Sequence, residues 1–323
     1  MYCTAFSIRA FAMESGANNV SAEPDSKTLS TASEEGKGRW VTSGESHWRI
    51  AWRMLRRSPV PMFGLVNLIL LVLMVLLAPV LAPHDPTQMD YDHPLEPPSR
   101  RHLFGTDDLG RDILSRVLWG GRESLRASSL GIAIAITGGV VVGLTSGYYG
   151  GLVDAAIQRI VDIFLAFPTV LLLLSIVAAL GPSLDTVLVA LGVSYIAAYS
   201  RIVRGSVLSA KNQEYVTAAR VVGATDRRIM VRHILPNLVA PIIITTTIGL
   251  GFALMATAGL SYIGLGAQPP SPEWGAMLNY GRRYLREAWW MSVFPGLGIV
   301  AAVLSVNLLG DGLRDALDPK LRV

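Results

Sequence analysis

The sequence predicts an all-α membrane protein with six transmembrane helices, and three observations carry that prediction. Of 323 residues, 51% are hydrophobic and 16% charged, with a mean hydropathy of +0.43, a balance wrong for a soluble chain of this length. Six apolar segments of about 20 residues stand out, each long enough as a helix to cross a hydrocarbon core of ~30 Å. Lipid offers the backbone no hydrogen bonds, so such segments are helical.

Residues 1–45 are rich in Ser, Glu, Gly and Asn and lack apolar periodicity, which predicts a disordered cytoplasmic tail. The first twelve residues hold a lone Arg9 and no continuous apolar core, which argues against a cleavable signal peptide, and Met13 reads as the start of translation. The single cysteine, Cys3, excludes an internal disulfide or a thiolate metal site. Residues 46–127 hold the first span, 62–82, and an outer amphipathic segment. Residues 128–323 form a core with five further spans at 128–149, 160–180, 184–203, 238–260 and 291–310. Arg49, Arg53, Arg56 and Arg57 precede the first span, and seven Lys or Arg lie between Arg201 and Arg232 after the fourth. Positive charge marks both as cytoplasmic, and an even number of spans then places Arg314, Lys320 and Arg322 inside as well. Trp119, Trp274, Trp289 and Trp290 are expected as interfacial anchors on the outer side.

Gly131, Ala135, Gly139, Gly143 and Gly147 recur every four residues in the second span, a small-residue face that lets two helix backbones approach closely. Gly249, Ala253 and Thr257 repeat the device in the fifth. Pro168 predicts a kink in the third span, and Asp162 an interfacial ion pair with Arg159. The scarcity of ionisable residues within the spans weighs against an ion-coupled carrier. No Gly-x-x-x-x-Gly-Lys-Ser/Thr pattern occurs, so any ATP is bound elsewhere.

Between the first two spans, Thr106 is expected to cap an outer amphipathic helix carrying Leu109, Ile113, Leu114, Val117 and Leu118 on its apolar face. Asp108, Arg111, Asp112 and Ser115 turn away from that face. Asp107, Asp108 and Asp112 could suggest a metal cluster, but pairing with Arg111 and Arg116 is favoured and no metal site is expected. After the fifth span, Pro269, Pro270 and Pro272 stiffen a turn before Glu273 and Trp274, which reads equally as a gate or partner contact and as an interfacial re-entrant segment.

The segment 204–236 is the most informative. A short helix from Glu214 through Ala218 and Ala219 meets Gly223 where a left-handed stop is needed. A second can start with Thr225 as N-cap and Asp226 in its first turn, place Arg227 and Arg228 near the tip and run to Arg232 and His233 before Leu235-Pro236 closes it. Such a helix–turn–helix is a docking knob, or a connector whose arginines only enforce topology.

This segment resembles the EAA loop of permease subunits in ABC importers, whose pattern is Glu-Ala-Ala, three residues, Gly, nine residues, Ile, any residue, Leu-Pro. Thr217, Ala218 and Ala219 stand at the triplet, followed by Gly223 and Leu235-Pro236 at the family spacing, while Thr217 and His233 depart from it. HLFGTDDLGRDILSR from His102, GLSYIGLGAQPPSPEWGAML from Gly259 and GDGLRDALDPKLR at the C-terminus are similar to the C-type subunits of the dipeptide, oligopeptide and nickel branch. The resemblance implies a type I ABC importer permease fold in a bacterial inner membrane, multi-pass with both termini cytoplasmic. It implies a homologous second permease, two cytoplasmic ATPases holding ATP and Mg, and an external solute-binding protein, with no cofactor, no catalytic residue and no nucleic-acid partner on this chain. Coupling would fall to Glu214, Thr217, Ala218, Ala219, Gly223, Ala224, Asp226, Arg227, Arg228, Leu235 and Pro236. Peptides lead nickel and glutathione-like solutes as cargo. A channel or ion-coupled carrier without an ATPase is the alternative.

Overall fold

A computed structural model describes residues 47–317, and every regular element among them is helical. The expectations for the tail 1–45, for Met13 and Cys3, and for Lys320 and Arg322 lie outside the described residues.

Helices α1 (His47–Arg57), α2 (Pro59–Leu76) and α3 (Ala78–Leu81) open the chain. They are followed by α4 (Ile113–Tyr149), α5 (Gly151–Ala166), α6 (Thr169–Leu180) and α7 (Leu184–Lys211). Next come α8 (Glu214–Val221) and α9 (Asp226–Arg228), which runs through a wider π turn at Ile229–Ile234 into α10 (Leu235–Tyr262). Three elements complete the fold, α11 (Trp274–Gly281), a single 3-10 turn (Arg282–Tyr284) and α12 (Trp290–Leu317). Five helices are long and apolar enough to cross a membrane, and six spans result if α5 and α6 count as one.

Several boundaries differ from expectation, each for a local reason. The first span ends early because Pro79, in the first turn of α3, cannot continue the hydrogen bonding of α2. The outer amphipathic helix and the second span are one helix of 37 residues, capped by Asp112 and not Thr106. The Asp112 carboxylate accepts from Ser115 N at 2.8 Å, while Thr106 serves the preceding loop, accepting from Glu96 N at 2.8 Å. Leu109 therefore lies outside the helix. The expected kink in the third span is a break of 88°. Pro168 holds the preceding Phe167 extended (φ −87°, ψ 136°), and the chain turns before α6 begins.

The centre of the bundle is the α4–α7 pair. Gly131, Gly139, Gly143 and Gly147 of α4 all face α7. A Cβ on Gly143 would lie 2.5 Å from Ser200 O, and one on Gly147 2.9 Å from Val207 Cβ. Ala135 is buried beside Ile132, Tyr199 and Ala253. A second core at one end joins α2, α4, α11 and α12 through Leu71, Val75, Ile113, Trp274, Met277 and Trp290. Trp274 and Trp290 are thus core residues, a correction to their expected interfacial role. Each indole N–H has a partner, Val117 O at 2.8 Å and Thr106 O at 2.9 Å, which removes the cost of burying it. Trp289 is half exposed.

Candidate functional site

The 28-residue α7 ends at Lys211, and the chain must reverse before α10 re-enters the bundle. Val216 and Ala219, three residues apart, put one apolar face of α8 inward. They pack with Ile229, Met230, Ile234 and Leu238 against Leu144, Tyr148, Val203, Val207 and Ala210, so the knob is fastened into the ends of α4, α7 and α10. This anchoring was not found in the sequence, although the i, i+3 spacing of Val216 and Ala219 signals it.

Gly223 ends α8 as expected. Its φ is +81°, its N–H bonds Arg220 O at 3.0 Å, and Ala224 N–H bonds Ala219 O at 3.0 Å. That pair of bonds is a Schellman stop, which satisfies two of the helix's last carbonyls and requires a left-handed residue. A Cβ on Gly223 would meet nothing within 4 Å, so glycine is needed here for conformation and not for space.

The second helix of the knob differs from expectation. α9 is a single turn, Thr225 makes no side-chain cap, and Leu235-Pro236 does not close the element. The proline ring would crowd the carbonyl four residues back, and the π turn at Ile229–Ile234 widens the helix there so that it continues.

Glu214, Thr217, Ala218, Gly223, Asp226, Arg227, Arg228 and Pro236 are exposed, Ala224 and Leu235 half-buried, and Ala219 faces inward. Val221 and Val222 are 82% and 83% exposed and are the most prominent apolar groups of the knob. Nothing in the local sequence pattern marks these two valines as exposed.

A polar girdle ties the base of the knob to its neighbours. Tyr148 Oη donates to Asp226 Oδ1 at 2.6 Å, and Lys211 Nζ donates to Tyr148 O at 2.8 Å, at the carbonyl end of α4 where the helix dipole favours a cation. Arg204 grips Asp154 with both ends of its fork, Nε to Oδ1 at 2.7 Å and Nη2 to Oδ2 at 2.6 Å. Ser146 also donates to Asp154. Asp162 pairs with Arg201 rather than Arg159, since α7 runs beside α5. Replacing Tyr148 by Phe removes the tether to Asp226 and should loosen the knob by about 1 kcal/mol. Amide exchange over 224–230 would then rise about fivefold, and unchanged exchange would show the tether to be inert.

At the opposite end, the three aspartates separate. Asp107 takes both arginines, with Arg111 Nε at 2.6 Å and Arg116 Nε at 3.7 Å. Asp108 accepts from the hydroxyls of Tyr280 at 2.9 Å and Tyr284 at 3.2 Å. Burial raises the Tyr280 pKa, and the Asp108 charge raises that of Tyr284. Asp112 pairs with no arginine among the described residues; it accepts from Ser115, with His102 Nδ1 at 3.0 Å and His84 Nδ1 at 3.7 Å. Glu273 is fully buried, capping α11 through Ala276 N at 2.9 Å and accepting from Ser124 Oγ at 2.8 Å. Arg111, Asp112, Glu273 and Trp274 are all buried, and Asp108 is half-buried. A cleft of about 550 Å³ opens beside them, lined by Arg116, Gln268, Pro270, Tyr280 and Arg283 among others.

The family described as the binding-protein-dependent transport system inner membrane component matches residues 139–323, and the N-terminal TM domain of oligopeptide transport permease C matches 46–98. The chain is 43% identical to the dipeptide transport system permease protein DppC of Alkalihalophilus pseudofirmus, over 86% of this chain and 91% of that protein. It is 42% identical to the di/tripeptide transport system permease protein DppC of Pseudomonas aeruginosa, over 84% and 91%. It is 45% identical to the glutathione transport system permease protein GsiD of Escherichia coli, over 85% and 91%. Among solved structures it resembles a chain of the MetNI methionine ABC transporter in an inward-facing conformation, with a TM-score of 0.51 and 20% identity over 64% of this chain and 98% of that one, a likeness of fold alone.

Proposed function

The chain belongs to the binding-protein-dependent transport system inner membrane components, and from that membership we propose that it is the C-type permease of a peptide importer driven by ATP in partner subunits. It is a multi-pass membrane transport subunit and not an enzyme. A channel or ion-coupled carrier working alone does not fit that family. The observation that carries the coupling role is the exposed tip of the knob, Val221 and Val222 beside Asp226, Arg227 and Arg228, on a base fixed into three long helices. Exposed valines flanked by charge suit a groove on a cytoplasmic ATPase, with ATP and Mg held there. Movement of that groove would carry Glu214, Thr217, Ala218 and Gly223 with it, and through Ile229 and Ile234 the ends of α4, α7 and α10. This orientation puts the knob and both termini in the cytoplasm, as the distribution of basic residues supports. A homologous second permease would complete the path, and an external solute-binding protein would deliver cargo near the opposite end. Relatives named for dipeptides support small peptides as that cargo.

The test is purification from mild detergent with a tag on this chain. A second permease and two ATPases should co-purify, and vesicles holding the complex and its binding protein should take up dipeptide in the presence of ATP. Purification of the chain alone would remove the coupling role. Glutathione or Ni²⁺ taken up in place of dipeptide would remove the cargo assignment and leave the coupling role standing.

A further inference from the structure

We propose that His84, His102 and Asp112 form a resident site for a late first-row divalent transition ion of the Zn²⁺ class, at the start of α4. The site is assembled from separate stretches of chain. His84 follows α3, His102 lies in the loop before α4, and Asp112 is the N-cap of α4. One atom of each, a histidine ring nitrogen or a carboxylate oxygen, lies within 4.8 Å of the others.

The two oxygens of Asp112 have separate duties. Oδ2 is committed to the helix, accepting from Ser115 N at 2.8 Å and Ser115 Oγ at 2.7 Å. Oδ1 faces two imidazole nitrogens, His102 Nδ1 at 3.0 Å and His84 Nδ1 at 3.7 Å. No lysine or arginine pairs with this carboxylate among the described residues. The Ser115 hydroxyl also accepts from His84 N at 3.1 Å, so it positions both Asp112 and the backbone of His84. That is the outer support a metal ligand needs to hold its orientation.

His84 Nδ1 points to an ion rather than to a hydrogen bond. It is buried and has no hydrogen-bond partner among the described residues, and at 3.7 Å from Asp112 Oδ1 it is too far for one. A tetrahedral ion with ligands at about 2.0–2.1 Å sets its donor atoms about 3.3–3.4 Å apart, between the two distances observed. A small rotation of the His84 ring, whose side chain is 34% exposed, would close the set and leave the remaining coordination to water. His102 is 3% exposed, and its Nε2 has no partner among the described residues, so outer support comes through Ser115. Two imidazoles and one carboxylate select Zn²⁺, Co²⁺ or Ni²⁺ over Ca²⁺ and Mg²⁺, which prefer all-oxygen sites. A bound ion would staple the loop carrying residues 84–102 to the first turn of α4.

The experiment uses the full chain, purified with a tag free of histidine and stripped with chelator. Co²⁺ should bind one per chain and give the visible d–d bands of a low-symmetry site, and Zn²⁺ should abolish them. His84→Ala and His84→Gln should each weaken binding by about 100-fold, and His102→Ala should do the same. His84→Gln guards against misfolding, because it keeps the backbone bond to Ser115 and a polar group near Asp112, while His84 otherwise contributes a ring contact with His102. Absence of the bands in the wild-type chain, or unchanged affinity in the His84 variants, would overturn the site. Neither outcome depends on transport, so failure here leaves the permease function intact.

Discussion

Replacing Gly223 by Asp is expected to cut ATP-driven uptake at least tenfold, about 1.4 kcal/mol of lost coupling, while the chain still folds and inserts. The fold survives because the substitution meets no obstacle inside the chain. Nothing lies within 4 Å of the new Cβ, and the Schellman bonds to Arg220 O and Ala219 O involve only backbone. The φ of +81° costs an L residue about 1 kcal/mol, and Asp and Asn enter this region more readily than most. What changes is the exposed tip, where a new carboxylate joins Asp226 beside Val221 and Val222. A charge forced into an interface without a partner costs several kcal/mol, more than the backbone strain. Gly223→Asn is the control, with the same backbone demand and similar size but no charge, and should retain most uptake. The measurements are ATPase co-purification and dipeptide uptake in vesicles. Equal, normal values for both variants would mean that this tip docks nothing.

The stop at Gly223 was legible because its physics is local: an alanine-bearing helix, a residue free to take positive φ, and carbonyls that need donors. The small-residue stripe in α4 was legible for the same reason, since its spacing is a property of one helix. Other features depend on distant partners. Asp162 meets Arg201 across 39 positions of sequence, and the nearer Arg159 offered a false choice. Pro168 announced a bend, but not that the bend reaches 88° and divides the span into two helices. Trp274 and Trp290 resembled membrane anchors until the tertiary fold supplied acceptors for their N–H groups. The three aspartates of 107–112 read as one charged cluster, whereas Asp107 takes the arginines, Asp108 the tyrosines and Asp112 the histidines. No local pattern marks that division, because His84 reaches Asp112 only through the turn after α3.

Gly143→Ala is expected to destabilise the bundle by about 1–3 kcal/mol, whereas Gly131→Ala in the same stripe should be nearly neutral. At Gly131 the new methyl would stand 3.2 Å from Leu188 O and Leu191 Cβ, a crowding that a shift of a few tenths of an ångström relieves. At Gly143 it would stand 2.5 Å from Ser200 O, 2.8 Å from Val203 Cβ and 3.0 Å from Arg204 N. Two of those three atoms are backbone and cannot rotate aside, so α4 and α7 must move apart. The residues displaced are the ones that secure the knob: Val203 belongs to the cluster holding Val216 and Ile229, and Arg204 carries the fork onto Asp154. The variant should therefore lower the unfolding midpoint in detergent and also reduce uptake per ATP hydrolysed, because the base of the knob yields before the long helices turn. Uptake per ATP kept at the wild-type value in a destabilised Gly143→Ala complex would show that coupling does not pass through the α4–α7 contact. Equal midpoints for the two variants would show that the stripe does not set how closely these helices pack.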